Sequence, residues 1–194
     1  LNDPSASSGR SFEFFVENFD IGDFAEITGP LVRTKTGEPT LEVAGFRMLS
    51  KSLLPLPEKW HGLQDIEERF RKRYLDLIFN PEVKAKLETR SKIIQALRDL
   101  IKKNGFMEVV TPTLQPLYGG ASARPFKTHL HTLDIDLYLR IAPELYLKRL
   151  LVGGLERVFE IGKSFRNEGI DVSHNPEFTM LESYSAYWDE NDMM

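Results

Sequence analysis

Chemistry is concentrated near the end of the chain, where residues 177–187 read as a strand. Alternation turns Phe178, Met180, Glu182 and Tyr184 to one face and Thr179, Leu181, Ser183 and Ser185 to the other. One face then carries an aromatic platform, a carboxylate and a phenol. A carboxylate buried alone among apolar neighbours is costly, so Glu182 needs a partner, either a ligand or one of the chain's own arginines. Residues 157–166 read as the other strand of a hairpin, with 167–175 connecting the two. Phe165-Arg166-Asn167-Glu168-Gly169 closes that first strand, and Arg166 and Glu168, two apart, share a face while the chain stays extended. An arginine fork suits a two-bond grip on a phosphate or carboxylate. His174 and Asn175 stand at the far side of the connection. Singly, each of these residue types is common at a surface. A cation, an acid, a histidine and an aromatic face converging on one hairpin form a candidate site.

The preceding elements must position that hairpin. An aromatic-rich stretch, 12–19, reads as a short helix, and Asp20-Ile21-Gly22-Asp23 as a turn. Strands are expected over 24–34 and 40–49, joined by Lys35-Thr36-Gly37-Glu38-Pro39 with glycine available for positive φ. The proline-punctuated run 52–59 is a stiff connector, giving expected divisions at 1–51, 52–64 and 65–194. Beyond a charged segment, 65–79, Pro81 fits the first turn of a long helix. Ile93, Leu97, Leu100 and Ile101 recur there at helical spacing, and Asn104-Gly105 supplies the stop. A strand over 106–111 ends at Pro112; a loop with Gly119-Gly120, a strand over 133–139, a helix over 143–152 and a Gly153-Gly154 turn follow. Asp189-Glu190-Asn191-Asp192 reads as the acidic first turn of another helix.

The 194 residues are 41% hydrophobic and 28% charged, enough for one core and part of another. A formal charge of −4 excludes a polybasic nucleic-acid binder, so any such contact needs a local patch. The densest basic run, Arg69, Arg71, Lys72 and Arg73, reads either as such a patch or as a charged helix surface beside Glu67 and Glu68. Without cysteine there are no disulfides, thiolate metal sites or cysteine nucleophile. His61, His129 and His131 lack metal-ligand spacing, and no metal-ligating residues are assigned. No apolar run reaches the roughly 18 residues of a membrane span, and no signal-peptide pattern opens the chain. The expectation is a cytoplasmic protein without membrane partners. Leu1 in place of methionine, and a helix that begins where the sequence stops, read as a piece of something longer.

Phe165-Arg166-Asn167-Glu168 followed by His174-Asn175-Pro176-Glu177-Phe178 resembles motif 2 of the class II aminoacyl-tRNA synthetases. Phe106-Met107-Glu108-Val109-Val110-Thr111-Pro112, with the helix before it, resembles motif 1. Within the lysine/aspartate/asparagine subclass, three further stretches are similar to bacterial-type lysyl-tRNA synthetases. They are Gly119-Gly120-Ala121-Ser122-Ala123-Arg124-Pro125-Phe126, Arg140-Ile141-Ala142-Pro143-Glu144-Leu145-Tyr146-Leu147-Lys148, and His61-Gly62-Leu63-Gln64-Asp65 with Arg73-Tyr74-Leu75-Asp76-Leu77. The likeness runs from about residue 21 to 187. It implies an α+β fold, an incomplete class II antiparallel sheet flanked by helices, preceded by a remnant of an OB-fold β-barrel.

The resemblance further implies a lysine–tRNA ligase acting on lysine, ATP with Mg²⁺, and tRNA(Lys). Arg166 would hold the α-phosphate and the lysine carboxylate. Phe178 would stack on adenine, Glu168 and Asn175 would bond its edge, and His174 would contact the outer phosphates. Glu144 would pair with the α-ammonium beside the backbone of Gly120, and Glu182 and Tyr184 would line the side-chain pocket. A homodimer is implied through the helix over 83–104 and the strand to Pro112. Motif 3, with its second ATP-binding arginine, is not among these residues, and only the end of the barrel is. Two other readings stay open: a lysine-activating ligase with a protein or small-molecule acceptor, and a non-catalytic dimerising piece.

Overall fold

The computed structural model describes residues 8–54, 56, 63–171 and 173–194, with side chains from residue 12 onward. Pro55 and Pro57 of the connector, and His61 and Gly62 of the motif quoted above, lie outside the described residues. The chain packs as two units, Leu1–Glu88 and Thr89–Met194.

In the first unit, α1 (Ser8–Asn18) is followed by β1 (Phe24–Thr28), β2 (Leu31–Arg33), β3 (Pro39–Leu41) and β4 (Gly45–Ser50). Phe15 and Phe19, a turn apart, stack at 4.6 Å and both meet Phe46 of β4 edge-on, at 5.4 and 5.5 Å. β1 pairs with β4 and β2 with β3, both antiparallel. The two continuous strands expected over 24–34 and 40–49 are therefore each broken in two. Gly29 shows why: a Cβ there would lie 1.8 Å from the Glu42 carbonyl oxygen, so the chain passes itself where only glycine fits. The β2–β3 loop is as expected, with Gly37 at φ +86° and its N–H bonded to the Thr34 carbonyl at 2.9 Å.

The charged segment 65–79 folds as α2 (Ile66–Arg71) and α3 (Arg73–Phe79). Asp65 caps α2 by accepting from the Glu68 N–H at 2.7 Å. Asp76, fully buried, accepts from Arg69 Nε at 2.7 Å and Asn80 Nδ2 at 2.6 Å, and also binds Arg73. Arg71 pairs with Glu67 and Lys72 with Glu68. All four cations of the basic run thus face carboxylates of their own unit, which favours the charged-helix reading.

α4 (Pro81–Lys103) opens on a proline, whose missing N–H costs nothing in a first turn, and stops before Gly105 at φ +84°. β5 (Met107–Glu108), β6 (Leu114–Gln115), β7 (Lys127–Leu130), β8 (Ile135–Leu139), α5 (Glu144–Val152), β9 (Arg157–Phe165), β10 (Glu177–Ser185) and α6 (Glu190–Met193) follow. One sheet has the order β10-β9-β5, the other β6-β8-β7. β10 runs antiparallel to β9, as the resemblance implied for this sheet, while β5 joins β9 in parallel, so the sheet is mixed at that edge. A parallel pair needs a long crossover, and residues 109–156 supply it. The strand expected over 106–111 has only two ladder residues, continued by the Val109 N–H to the Phe159 carbonyl at 2.9 Å. Ile141, Leu147, Val158 and Phe159 form a fully buried core where α5 lies on β9 and β10. α6 opens with a capping box at Asp189, as its acidic start suggests.

Candidate active site

The hairpin register sets the site. β9 and β10 pair without a bulge from Glu177↔Phe165 to Ser185↔Arg157, and directly opposite residues share a face. Ser164, Gly162, Glu160 and Val158 therefore lie beside Phe178, Met180, Glu182 and Tyr184. The Arg166 guanidinium sits over the Phe178 ring, 5.1 Å from its centroid. Its buried Nε has no partner among the described residues, and neither has the buried Ser164 hydroxyl. An orphaned guanidinium nitrogen beside an aromatic face suits an anion such as a phosphate or carboxylate oxygen.

Glu182 lies half-buried and accepts from the Tyr184 hydroxyl at 3.1 Å. Burial pushes its carboxyl above the ordinary carboxylate range. Glu144 and Glu160 press the same way, while Tyr184 and Arg166 pull it back. Burial, then the charge of Glu182, also pushes the Tyr184 phenol up, so it stays a donor. No arginine forms an ion pair with Glu182 among the described residues, although the Arg166 cation acts on it at longer range.

Glu144, at the first turn of α5, accepts from Lys148 Nζ at 2.6 Å. Gly120 passes it at φ +89°, and a Cβ there would stand 2.8 Å from Glu144 Cβ and 3.3 Å from Ala142 Cβ. Only glycine permits both that backbone angle and that approach. Gly120, Glu144, Arg166, Phe178, Glu182 and Tyr184 are therefore brought together: two carboxylates, a cation and a phenol around one aromatic-floored face.

The other three predicted residues stand on the connection between β9 and β10 rather than on the strands. Glu168 is exposed and accepts from the Arg124 N–H at 3.0 Å, while the Asn167 N–H bonds the Arg124 carbonyl at 2.7 Å. This clasp borders a cavity of about 800 Å³ lined by Tyr118, Ser122, Arg124, Pro125, Asn167 and Glu168. His174 and Asn175 are exposed on the connection, and His174 Nδ1 lies 2.7 Å from Asp171. Bonds from the Ser173 N–H and His174 hold the Asp171 carboxyl down at about 2, so it remains an anion. The sequence reading missed Asp171, Arg124 and the pair Arg140–Glu160. Asp171 is local and findable, three residues from His174; Glu160 becomes visible only once the register sets it opposite Glu182.

Comparison with known proteins adds an independent line. Residues 65–194 match the family model described as tRNA synthetases class II (D, K and N). Among curated relatives, the lysine–tRNA ligase of Roseiflexus sp. (strain RS-1) is 62% identical over 183 residues, covering 94% of this chain and 37% of the relative. Those of Pelotomaculum thermopropionicum (61% over 185 residues, 95% and 36% covered) and Aquifex aeolicus (57% over 185 residues, 95% and 31% covered) are similar too. The chain thus spans about a third of the length of these relatives. A family match over residues 65–194, two thirds of the chain, shows that the chain belongs to the class II tRNA synthetases of the D, K and N group.

Proposed function

We propose that the protein carrying this chain is a lysine–tRNA ligase and that this chain holds its amino-acid pocket and part of its ATP site. The observation that carries the reading is that the Glu182 carboxyl, bonded to Tyr184, feels both the Glu144 carboxylate and the Arg166 cation, two acids and one base to answer the two cations and one anion of free lysine. The high identity to proteins named lysine–tRNA ligase supports it.

In the first step, a lysine carboxylate oxygen attacks the α-phosphorus of ATP. The bond to pyrophosphate breaks and lysyl-adenylate forms. Arg166, with an unpartnered Nε, binds the carboxylate and the α-phosphate and offsets the negative charge that gathers as they meet. Glu144 holds the α-ammonium beside Gly120. Glu182, fixed by Tyr184, takes the ε-ammonium, and a neutral isostere is rejected because it would leave those groups unpaired. Phe178 offers a flat face to adenine, Glu168 and Asn175 its edge contacts, and His174 a contact to the outer phosphates. In the second step, a hydroxyl oxygen at the tRNA 3′ end attacks the lysyl carbonyl and AMP leaves.

Mg²⁺, where bound with ATP, would supply counter-charge to its phosphates. Among the described residues no three His, Asp or Glu side chains gather into a cage for it, and no step above depends on protein ligands to it. The strands of 1–51 are read as the closing part of an OB-fold, supported by their antiparallel pairing against the α1 aromatic cluster. Residues 65–194 are read as the start of the catalytic domain, and 52–64 as the linker. A homodimer through α4, and action in the cytoplasm, complete the reading. Among the described residues no helix is long and apolar enough to cross a membrane.

Lysine-dependent ATP–pyrophosphate exchange tests the first step without tRNA. Exchange is expected, with Arg166→Ala lowering kcat/KM for lysine about a thousandfold or more. Exchange that is indifferent to lysine, or to loss of Arg166, overturns the assignment.

A further inference from the structure

A buried ion pair under the proposed lysine pocket has no role in the two steps above. Glu160 is the Cα partner of Glu182 across the hairpin and shares its face. Like charges in that relation repel and favour protonation of one of them. Glu160 is 2% exposed and Arg140 3%. Arg140 Nη1 lies 2.5 Å from Glu160 Oε1, while the Thr111 hydroxyl and N–H donate to Oε2 at 2.6 and 3.2 Å. Both oxygens of Glu160 are thereby occupied by the chain's own donors. Glu182, by contrast, accepts only from Tyr184 among the described residues.

Arg140 is itself held in place. Its Nε donates to the Lys163 carbonyl at 2.7 Å and its Nη1 to the Thr111 hydroxyl at 3.0 Å. Its guanidinium crosses β9 at Gly162, where a Cβ would lie 2.2 Å from Nη2. The glycine is thus the opening through which the cation reaches the carboxylate. A charge count gives the arrangement a purpose, resting on the lysine reading above. Glu144 already shares its charge with Lys148, and Arg166 and Glu182 answer the carboxylate and side-chain cation of free lysine, so an unpaired Glu160 would add a surplus negative charge directly beside Glu182.

We propose that Arg140 is a positioning residue of the amino-acid pocket: by neutralising and immobilising Glu160, it leaves Glu182 as the one free carboxylate for the substrate's side-chain cation. The other groups facing Glu182 are Tyr184 on its own strand, Arg166 past the end of β9, and Glu144 on α5, the last paired with Lys148.

The test follows the Glu182 carboxyl directly, by carbon-13 resonance in glutamate-labelled protein, with Glu182→Gln for assignment. Arg140→Gln, which exposes Glu182 to an unneutralised Glu160, is expected to raise its titration midpoint by about one pH unit. Glu160→Gln, which leaves the Arg140 cation unspent, is expected to lower it by a similar amount. The double variant should return it close to the parent, and the KM for lysine in pyrophosphate exchange at a pH near the midpoint should rise in Arg140→Gln. Shifts in the same direction, or none, overturn the proposal, since a merely structural pair would destabilise the fold without opposite movements at Glu182. If Arg140→Gln does not fold, Glu160→Gln decides with the double variant: a lowered midpoint that the double restores upholds the proposal, and an unmoved one overturns it. The titration needs no activity, so failure of the ligase reading would show separately, as a parent protein without lysine-dependent exchange.

Discussion

Glu182 has to be ionised to hold a cation, yet burial and the carboxylates of Glu144 and Glu160 press it towards the neutral form. The sign of the resulting pH dependence follows. As pH falls through the raised midpoint, Glu182 takes up a proton, and the proposed lysine pocket would lose its charge for the ε-ammonium. The acidic limb of kcat/KM for lysine should therefore lie above the ordinary carboxylate range, and Glu182→Gln should remove that limb while raising KM about a hundredfold or more. Exchange rates measured against pH check both. Glu182 and Tyr184 were placed on one face from the sequence because strand alternation fixes a face from local order alone. The His174–Asp171 bond was not read, although local, because both residues sit in a connection without periodicity. Arg140–Glu160 was beyond reach for a different reason: it depends on a hairpin register and on a cation 20 residues away crossing a strand at a glycine.

Short elements carry the first unit, and its least forgiving point is the crossing at Gly29. Both flanks of the crossing are bonded, Glu42 N–H to the Pro30 carbonyl at 3.0 Å and Ala44 N–H to the Thr28 carbonyl at 2.8 Å. The Glu42 carbonyl therefore cannot withdraw from a new methyl without breaking one of them. Gly29→Ala is expected to destabilise the fold by about 3 kcal/mol, read from the midpoint of chemical denaturation. Gly37→Ala, where nothing lies within 4 Å of a built Cβ, should cost only the strain of its positive φ, about 1 kcal/mol. The same contrast explains what the sequence showed of these strands. Gly37 announced its turn through neighbours in sequence, whereas Gly29 is dictated by a carbonyl 13 residues on, so apolar continuity alone suggested two long strands.

At the scale of the assembled molecule, the informative surface is the outer side of α4. Ile94 and Ile101 are half-buried and Arg98 binds Glu108 at 2.8 Å, which marks the side of the helix facing its own unit. Ile93, Leu97 and Leu100, at i, i+4 and i+7, are instead 55%, 43% and 57% exposed. Helical spacing alone would assign such a stripe to a core, and the structure leaves it uncovered. Met107 and Val110, just beyond the helix, add 53% and 92% exposed apolar side chains to the same chain segment. The homodimer proposed above would cover this stripe by a two-fold axis on which each stripe meets its equivalent. The proposed dimer then has a sharp electrostatic test, because any charge placed at Leu97 enters the interface twice. Leu97→Glu should weaken self-association at least about a hundredfold, roughly 3 kcal/mol, seen by sedimentation as a concentration-dependent shift to the monomer. Leu97→Met, which keeps volume and apolarity, should leave the association intact. A parent that sediments as a monomer, or a Leu97→Glu variant that remains a dimer, would place the interface elsewhere and leave the stripe to a different partner.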